Sequence, residues 1–363
     1  MDTTDPDIIF DEKGRCNHCK SAEKLYNNNR LLHDPRYRDS ELENLVLEIK
    51  NTSKNKKHNK YDCIIGLSGG VDSSYTAYKV KELGLNPLAV HFDNTWNSEL
   101  ANNNIELLCE KLDIDLFTYV VEWDEFRDLQ LSFLKAGTPD SEVPSDHAIV
   151  ALMHNQARKW GIKYVLSGQN SATESILPKA WSTGQDDVRY MKSVQQKFGT
   201  MKLSSTPHRN FLRQTLDRFV LTKIPFLNYI EYDKGKAKQF LTDEIGWRDY
   251  GGKHSESLYT KIFQSYILPT KFGFDKRKAH LSSLIVAGQI SREDALKELQ
   301  KPLYDEMELK MDLEYLIRKF DITEEEFNDI INGSIKKYKD YPNSYGVKLK
   351  NFLKVLKSIL GER

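Results

Sequence analysis

Residues 68–73 read Ser-Gly-Gly-Val-Asp-Ser, and this stretch decides how the rest of the chain is interpreted. The apolar run 63–67 precedes it, and the helical pattern 72–83 follows it and stops at Gly84. A glycine-rich turn between a buried strand and a helix gathers free backbone N–H groups at the positive end of the helix dipole. The stretch therefore predicts a phosphate-binding loop, with a plain glycine-rich turn as the alternative.

The residue types of the loop fit that task. Gly69 and Gly70 have no Cβ, so the backbone can take unusual dihedral angles and approach an anion closely. Three hydroxyl groups can add donors, those of Ser68, Ser73 and Ser74. Asp72 would repel a bare phosphate, and we expect it to hold Mg²⁺ or to cap the helix. The chain contains no G-x-x-x-x-G-K-[ST] pattern, so this is not a Walker loop.

The pattern around the loop predicts an α/β fold. Apolar runs at 63–67, 88–92, 116–121 and 164–166 alternate with helical stretches at 72–83, 97–112 and 146–160. Continuous apolar strands separated by helices indicate βαβ units, so we expect a Rossmann-like parallel sheet followed by a helical C-terminal region. Further helices are predicted at 40–50, 214–221 and 236–245, with helix starts at Ser291 and, through a capping box, at Thr323.

Composition divides the chain into three regions. The polar and basic stretch 51–60 is the clearest linker. We expect an N-terminal arm over residues 1–55, the domain of the phosphate loop over 56–235, and a mainly helical region over 236–363 that completes the active site.

Polar residues follow two of the predicted strands. Asp93 ends the second strand, Gly168 and Gln169 follow the fourth, and Glu174 comes shortly after. Ligands of open parallel sheets bind at the carboxyl edge of the strands. We therefore expect Asp93, Gly168 and Gln169 to lie beside a bound ligand, and Glu174 to reach a metal or the substrate. For Asp93, a turn or a helix cap is the alternative.

Charge and composition exclude several classes of protein. The 363 residues include 53 basic and 53 acidic side chains, a formal net charge of zero, which argues against a protein whose main work is holding nucleic acid. The N-terminus has no basic segment followed by an apolar run, and no stretch approaches the roughly 20 apolar residues of a membrane span. With only four cysteines, we expect a cytoplasmic protein.

Cys16 and Cys19 form a C-x-x-C pair near the N-terminus. Two thiolates at this spacing fit one tetrahedral Zn²⁺, but such a site takes four ligands and the chain has no second pair. We expect Cys63 and Cys109 to be buried thiols rather than ligands. A Zn²⁺ site with two further ligands and a redox-inert loop both stay open.

In its strand–loop–helix context, the signature S-G-G-x-D-S resembles that of the PP-loop ATP-pyrophosphatases. The resemblance implies an adenine nucleotide alpha-hydrolase-like fold, with ATP and Mg²⁺ as cofactors. It also implies that the ligand beside Asp93, Gly168 and Gln169 is the nucleotide. It also implies a shared chemistry, in which ATP is split between its α and β phosphates and a substrate carbonyl oxygen takes AMP. A nitrogen or sulfur nucleophile then displaces the AMP. Pyrophosphate is the leaving group that the loop would stabilise.

Longer stretches resemble the N-acetyl sugar amidotransferase family of bacterial surface-polysaccharide biosynthesis. They are residues 2–19, 168–170, 250–257 and 268–284. The resemblance implies that an N-acetyl group of a nucleotide-activated sugar is converted to an acetamidino group. The amide oxygen would be adenylated, and ammonia would displace the AMP.

Two of these stretches carry charged candidates for the active site. A glycine-flanked loop holds Lys253, His254 and Glu256, and the start of a later helix holds Lys276, Arg277 and His280. We expect Lys253 and His254 to act in catalysis with Asp72 and Glu174, and the other four to bind substrate, since cations can clamp phosphate or carboxylate groups. An ordinary loop and a solvated basic face are the alternatives.

Ammonia needs a source. Neither Cys63, in a predicted strand, nor Cys109, in a predicted helix, occupies a nucleophile elbow, and Asp2 follows Met1 where an N-terminal nucleophile glutaminase would expose a cysteine. The family resemblance implies a separate glutaminase and cyclase-like pair, and we expect such a partner.

Two other functions stay open. A thiolase-like PP-loop enzyme that modifies tRNA would need a basic face and a catalytic cysteine, and the neutral net charge weighs against it. A non-catalytic nucleotide-binding subunit would have no need of Asp72 and Ser73. The sequence leaves open which sugar is used, whether it is linked to UDP or CMP, the oligomeric state, and the role of residues 181–225.

Overall fold

A computed structural model describes residues 1–54, 60–251 and 256–344. Its strands are β1 (Cys63–Gly66), β2 (Pro87–Asp93), β3 (Asp115–Val120), β4 (Tyr164–Ser167) and β5 (Thr222–Pro225). They form one parallel sheet in the order β3-β2-β1-β4-β5. β1 lies at the centre, where Cys63 is in register with Pro87 and with Tyr164. The predicted parallel α/β fold is confirmed.

Helices surround the sheet and make up the C-terminal region. They are α1 (Asn17–Asn28), α2 (Arg30–His33), α3 (Pro35–Lys54), α4 (Val71–Glu82), α5 (Glu99–Leu112), α6 (Trp123–Ala136), α7 (Val143–Lys159), α8 (Ser171–Glu174), α9 (Val188–Phe198), α10 (Phe211–Val220), α11 (Lys234–Ile245), α12 (Leu258–Ile262), α13 (Arg277–Val286), α14 (Arg292–Gln300), α15 (Glu306–Phe320) and α16 (Glu324–Asn332). A π-helix, Phe263–Phe272, continues α12, and short 3₁₀ turns lie at Phe226–Tyr229 and Tyr338–Asp340.

The sheet buries an apolar face on each side. On one side, Ile65 packs in a cluster with Val80 of α4 and Leu241 of α11. On the other side, Ile64 packs with Phe126 of α6 and Leu152 of α7. Strands that are covered on both faces need continuous apolar runs, which is why the run around Ile64 and Ile65 predicted a strand correctly.

Several elements of the sheet domain lie outside the prediction, among them α6, α8, α9 and β5. α6 carries the buried side chains of Phe126, Leu129 and Phe133 at helical spacing and ends at Gly137, so its signal was present in the sequence. β5 is short, contains an exposed Lys223, and lies at the sheet edge, where charged side chains are common. The helix predicted from 146 begins earlier, at Val143.

The C-terminal helices form a second core that reaches into the sheet domain. Phe263, Leu316 and Phe320 pack there with Trp96, which follows β2, and with Ala22 of the N-terminal arm. The predicted helix starts are confirmed, since Ser291 caps α14 and Thr323 forms a capping box with Glu326. None of the described helices is both long and apolar enough to cross a membrane.

Candidate active site

A cavity of about 780 Å³ opens at the carboxyl edge of the sheet. It lies between the ends of β1 and β2, the start of α7, and residues of the C-terminal region. Ten residues predicted from the sequence line it: Ser68, Gly70, Asp72, Ser73, Gly168, Gln169, Glu174, Glu256, Lys276 and His280. Residues that are far apart in the sequence thus meet around one space.

The phosphate loop requires a glycine at position 69. Gly69 has a φ of 80°, and a Cβ there would lie 2.5 Å from the carbonyl oxygen of Ala101. Its own carbonyl accepts a hydrogen bond from Trp247 Nε1 at 3.0 Å. Gly69 therefore shapes the loop from behind and is not itself part of the cavity lining.

The front of the loop presents donors to the cavity. Ser73 Oγ donates to the carbonyl of Gly70 at 3.0 Å and lies 3.2 Å from Ser68 Oγ. Gly70 is the N-cap of α4 and has no side chain with which to cap the first amides of the helix. The Val71 N–H donates to the hydroxyl of Tyr250 at 3.3 Å. The arrangement is that of an anion-binding helix start.

Asp72 lines the cavity in the first turn of α4 and accepts a hydrogen bond from the hydroxyl of Tyr232. Burial, together with the charge of Asp72, raises the pKa of Tyr232, so this hydroxyl stays protonated and acts as the donor. Gln289 Nε2 in turn donates to the carbonyl of Tyr232 at 2.7 Å. Ser74 is fully buried and outside the lining, so the structure does not bring its predicted hydroxyl donor to the cavity.

The end of β4 closely approaches the phosphate loop. A Cβ on Gly168 would lie 2.9 Å from the carbonyl carbon of Asp72, so a larger residue would push the two segments apart. Gln169 and Glu174 follow on the same side and line the cavity. Asn170 fixes this turn, because its side chain accepts a hydrogen bond from the N–H of Thr173 at 2.9 Å.

Asp93 stabilises a turn, which was the alternative to ligand binding in the sequence analysis. It ends β2, but it is outside the cavity lining, and its Oδ1 accepts a hydrogen bond from the N–H of Thr95 at 2.7 Å. Its neighbours Asn94 and Asn97 line the cavity instead. The nucleotide contact of Asp93 stays a prediction, and in the structure the loop that follows it lies nearer to the cavity.

His91 connects that loop to the phosphate loop. Its Nδ1 lies 2.8 Å from the carbonyl of Leu67, and its Nε2 lies 3.0 Å from Asn97 Nδ2. These partners assign the proton to Nδ1. Burial lowers the pKa of His91, which agrees with a neutral ring that donates on one side and accepts on the other.

One wall of the cavity, here called the acidic wall, carries the carboxylates of Asp140, Glu142 and Asp146. Burial raises the pKa of Asp140 to about 6, although Ser182 Oγ and Gln185 Nε2 donate to it at 2.7 and 3.1 Å. Burial and the neighbouring carboxylates raise the pKa of Asp146 well above its usual range. The acidic wall therefore favours a cation or a proton donor over an anion.

Two of the predicted substrate-binding residues, Lys276 before α13 and His280 within it, line the cavity. Lys276 Nζ lies 3.7 Å from Glu142 Oε2, beside the acidic wall. His280 Nδ1 lies 3.2 Å from the carbonyl of Thr173, next to the end of α8. Both residues line the cavity, and their substrate-binding roles stay predictions.

Arg277 points to a different environment. Its NH2 is 2.8 Å from Asp275 Oδ2, and its NH1 donates to the carbonyl of Lys301 at 2.9 Å. It is absent from the cavity lining. Its guanidinium thus lies outside the cavity, because consecutive residues at a helix start point in different directions, and its substrate role stays a prediction.

The predicted catalytic pair Lys253 and His254 lies outside the described residues. Glu256, from the same stretch, lines the cavity, and its Oε1 would lie 3.1 Å from a Cβ on Gly70. Tyr250, on the other side of the pair, contacts the phosphate loop through Val71.

The cysteine pair lies close together, with the Sγ atoms of Cys16 and Cys19 at 3.3 Å. Burial and the neighbouring Cys16 raise the pKa of Cys19 to about 11, which disfavours a thiolate. His18 contacts Asp5 rather than the sulfur atoms. Residues 1–54, 60–251 and 256–344 contain no group of three or more His, Cys, Asp or Glu side chains that could hold a metal. The structure does not support the Zn²⁺ prediction.

Several important residues were missed in the sequence. His91, Asn94 and Asn97 lie in or just after β2, and the rule that ligands bind at the carboxyl edge could have found them. Tyr232 and Tyr250 reach the loop from positions 160 and 179 residues away, and no local pattern marks them. The residues of the acidic wall lie just before α7 and in its first turn. Acidic residues are common at helix starts, so the sequence did not distinguish them as part of a cavity.

Two family matches fall on the two sides of this cavity. Residues 61–135 match the HUP domain described for tRNA methyl transferase, and this range contains the phosphate loop. Residues 256–356 match the C-terminal domain of WbpG-like LPS biosynthesis proteins, and this range contains Glu256, Lys276 and His280.

Similar proteins cover different shares of the chain. The uncharacterized protein MJ1599 of Methanocaldococcus jannaschii is 24% identical over 275 residues, 74% of this chain and 82% of that protein. The tRNA-specific 2-thiouridylase MnmA of Proteus mirabilis is 33% identical over 120 residues, 29% of this chain and only 32% of the enzyme. Among solved structures, the NH3-dependent NAD synthetase of Campylobacter jejuni aligns with 80% of this chain and 98% of its own, at 15% identity and a TM-score of 0.35.

The fold, the loop and the family matches agree with one another. The loop that opens α4 has the PP-loop signature, and the matched HUP range contains its strand and helix. Residues 61–135 are therefore similar to a HUP domain, and residues 256–356 are similar to a WbpG-like C-terminal domain.

Proposed function

We propose that this chain is an ATP-dependent amidotransferase that acts on the N-acetyl group of a nucleotide-activated sugar. The observation that carries the proposal is the shared cavity, in which Asp72 and Ser73 of the PP-loop face the same space as Lys276 and His280 of the WbpG-like domain. A reaction between ATP and a second substrate needs both to be bound within reach. The description of the WbpG-like domain, LPS biosynthesis, supports a sugar as the second substrate.

ATP would bind with its β and γ phosphates at the start of α4. Asp72 would hold Mg²⁺, which neutralises the charge that grows on departing pyrophosphate. The residues present fit this ion, because Mg²⁺ commonly takes one or two carboxylates and completes its shell with phosphate oxygens and water. Asp72 is such a carboxylate, and Tyr232 fixes its orientation. Ser68 and Ser73 would add hydroxyl donors to the phosphates.

In the proposed reaction, the amide oxygen of the acetamido group attacks the α-phosphorus, and the bond to pyrophosphate breaks. Ammonia then attacks the imidate carbon, the bond from this carbon to the oxygen breaks, and that oxygen leaves as part of AMP. The acidic wall would take up protons that ammonium and the adduct release. The pKa of about 6 of Asp140 suits this task, because proton acceptors work best when their pKa lies near the working pH. Lys253, His254 and Glu174 keep their proposed place in catalysis.

Ammonia would come from a separate glutaminase and cyclase-like pair. None of the four cysteines, all of which lie in the described residues, lines the cavity. Burial raises the pKa of Cys109 to about 11 and that of Cys63 further, so both are poor nucleophiles. This observation supports an external ammonia source, and it also counts against the alternative of a thiolating enzyme that uses a catalytic cysteine.

The test uses UDP- and CMP-linked acetamido sugars that carry heavy oxygen in the acetyl group. The purified chain is incubated with each sugar, ATP, Mg²⁺ and ammonium chloride, and the products are examined by mass spectrometry. We expect the heavy oxygen to appear in AMP and the sugar to gain NH in its place. Unlabelled AMP, or an unchanged sugar across the whole panel, contradicts the proposal. Asp72→Asn is the inactive control.

A further inference from the structure

The loop after β2, residues 94–97, is here called the cavity loop. Asn94 and Asn97 line the cavity, and Asn97 contacts His91, which reaches the carbonyl that precedes Ser68. A displacement of the cavity loop would therefore change the contacts that His91 makes with the residue before the phosphate loop. The conformation of this loop is part of the nucleotide site.

The cavity loop contains a disfavoured backbone conformation. Thr95 has a φ of 67°, a left-handed value that is unusual for a β-branched residue. Its Oγ1 is buried without a hydrogen-bond partner among the described residues. Both features raise the energy of the loop, so contacts elsewhere must stabilise it.

Lys319 of α15 makes such a contact. Its Nζ donates a hydrogen bond to the carbonyl of Thr95. The same ammonium group lies 4.5 Å from the ring centroid of Trp96 and 5.0 Å from that of Trp123, and it is 3.2 Å from the hydroxyl of Tyr315. A cation held over aromatic faces has few other positions available, which keeps it on the carbonyl of the strained residue.

The ends of the loop have separate anchors. The N–H of Leu258 donates to the carbonyl of Trp96, and the N–H of Ser98 donates to the carbonyl of Glu256, both at 2.8 Å. Trp96 is buried, and its Nε1 donates to Gln130 at 2.7 Å. Loss of the Lys319 contact would therefore leave the loop attached and would release mainly the strained residue between its anchors.

We propose that Lys319 is a positioning residue of the nucleotide site, which holds the cavity loop in its strained form so that Asn94 and Asn97 face the bound nucleotide. It acts through the carbonyl of Thr95 and does not itself line the cavity. The inference rests on the proposed function only in that ATP occupies this cavity.

The test compares the variant Lys319→Met with a double variant in which a second substitution, Thr95→Gly, should restore nucleotide binding. Lys319→Met keeps the apolar stem among the aromatic rings and removes the charge and the donor. The measured quantity is the Kd of α,β-methylene-ATP with Mg²⁺, which cannot be split at the bond in question. We expect affinity to fall about tenfold, the range for a lost hydrogen bond to a charged group. Adding Thr95→Gly should restore most of the affinity, since glycine takes a positive φ without steric cost.

Lys261→Met is the matched control. Lys261 also lies over an aromatic ring, 4.6 Å from the centroid of Tyr304, and pairs with Glu308 and Asp312 of α15, but it does not line the cavity. It should lower the melting temperature without changing the Kd, and melting curves show that each variant is folded.

Three results overturn the inference: wild-type affinity in Lys319→Met, an equal loss of affinity in Lys261→Met, or no recovery in the double variant. Absence of nucleotide binding by the wild type would remove this inference and the proposed function together. Normal binding without a labelled AMP product would remove only the proposed function.

Discussion

The hydroxyl of Tyr232 donates a hydrogen bond to Oδ1 of Asp72, a residue 160 positions earlier in the chain. Tyr232 is buried, and its raised pKa keeps it a donor. A carboxylate held by a fixed donor keeps one orientation, so its other oxygen is available to a metal ion in a defined direction. The pair thus links the start of α4 to the segment that leads into α11.

Removal of that hydroxyl should weaken the Mg²⁺ site. In Tyr232→Phe the ring stays in place while Asp72 loses its donor, and we expect the Mg²⁺ concentration for half-maximal AMP formation to rise about tenfold, as for other hydrogen bonds to charged groups. Tyr75→Phe is the control, because its ring packs 5.8 Å from that of Tyr232 but no hydrogen bond joins Tyr75 to Asp72. An unchanged Mg²⁺ titration for Tyr232→Phe would show that the hydrogen bond has no part in metal binding.

A methyl group at position 69 should abolish nucleotide binding. In Gly69→Ala the new Cβ would meet the carbonyl oxygen of Ala101 at 2.5 Å, so the loop must shift away from its phosphate-binding shape. Gly161→Ala carries the same kind of backbone penalty, with a φ of 64°, but has open space around its Cβ. The control should lose about 1 kcal/mol of stability and keep its affinity for the ATP analogue. Tight binding by Gly69→Ala, measured by calorimetry, would contradict the assigned loop geometry.

The pH dependence of stability should report on Asp140. Its folded pKa of about 6 lies above the ordinary value of 3.8, so the folded protein holds this proton more tightly than the unfolded chain. The resulting stability is complete below pH 3.8 and is lost as the pH rises through about 6. Asp140→Asn cannot ionise and should therefore be the more stable protein at pH 7, by on the order of 2 kcal/mol.

Urea unfolding of both proteins at pH 4.5 and pH 7 checks this expectation. The advantage of Asp140→Asn should shrink strongly at the lower pH, where wild-type Asp140 is protonated. An equal difference at the two values would mean that titration of Asp140 does not cause it. Amide side chains at this position can still accept the hydrogen bonds from Ser182 and Gln185.

Substitution of the neighbouring residues Lys276 and Arg277 should have opposite effects on substrate binding and on stability. Lys276 lines the cavity, whereas Arg277 bonds to Asp275 and to the carbonyl of Lys301. We expect Lys276→Met to raise the KM for the sugar by about tenfold with little change in melting temperature. Arg277→Met should lower the melting temperature and leave KM near the wild-type value. Steady-state kinetics and thermal melts of the two variants decide the assignment, and a raised KM in Arg277→Met would support its predicted substrate role.

The parts that could be predicted from the sequence are those determined by local patterns. The strand around Ile65, the glycine turn and the helix that begins at Val71 each have their own signal, so the sheet and the phosphate loop were found. The side chain of Lys276 and that of Arg277 could not be distinguished, because only the packing of α13 decides which one faces the cavity.

Contacts made at long range explain the rest. Tyr232, Tyr250 and Trp247 all touch the phosphate loop, yet each comes from a segment more than 150 residues further along the chain. Asp93 is an acidic residue at the carboxyl edge of the sheet, which is why the sequence pointed to it. Its carboxylate accepts a hydrogen bond from the N–H of Thr95 and lies outside the cavity lining.

Trp96 belongs to the sheet domain by sequence, but its indole is buried in the core of the C-terminal helices, against Tyr259 and Phe320. The two halves of the chain are therefore not modules that can be exchanged. A shortened protein that ends before α12 would expose this indole to water, and a chimera with the C-terminal part of a thiouridylase would have to supply a new pocket for it. The cavity can therefore be altered by substitutions around it, whereas replacement of the whole helical half would disrupt the loop after β2, whose Asn94 and Asn97 line the cavity.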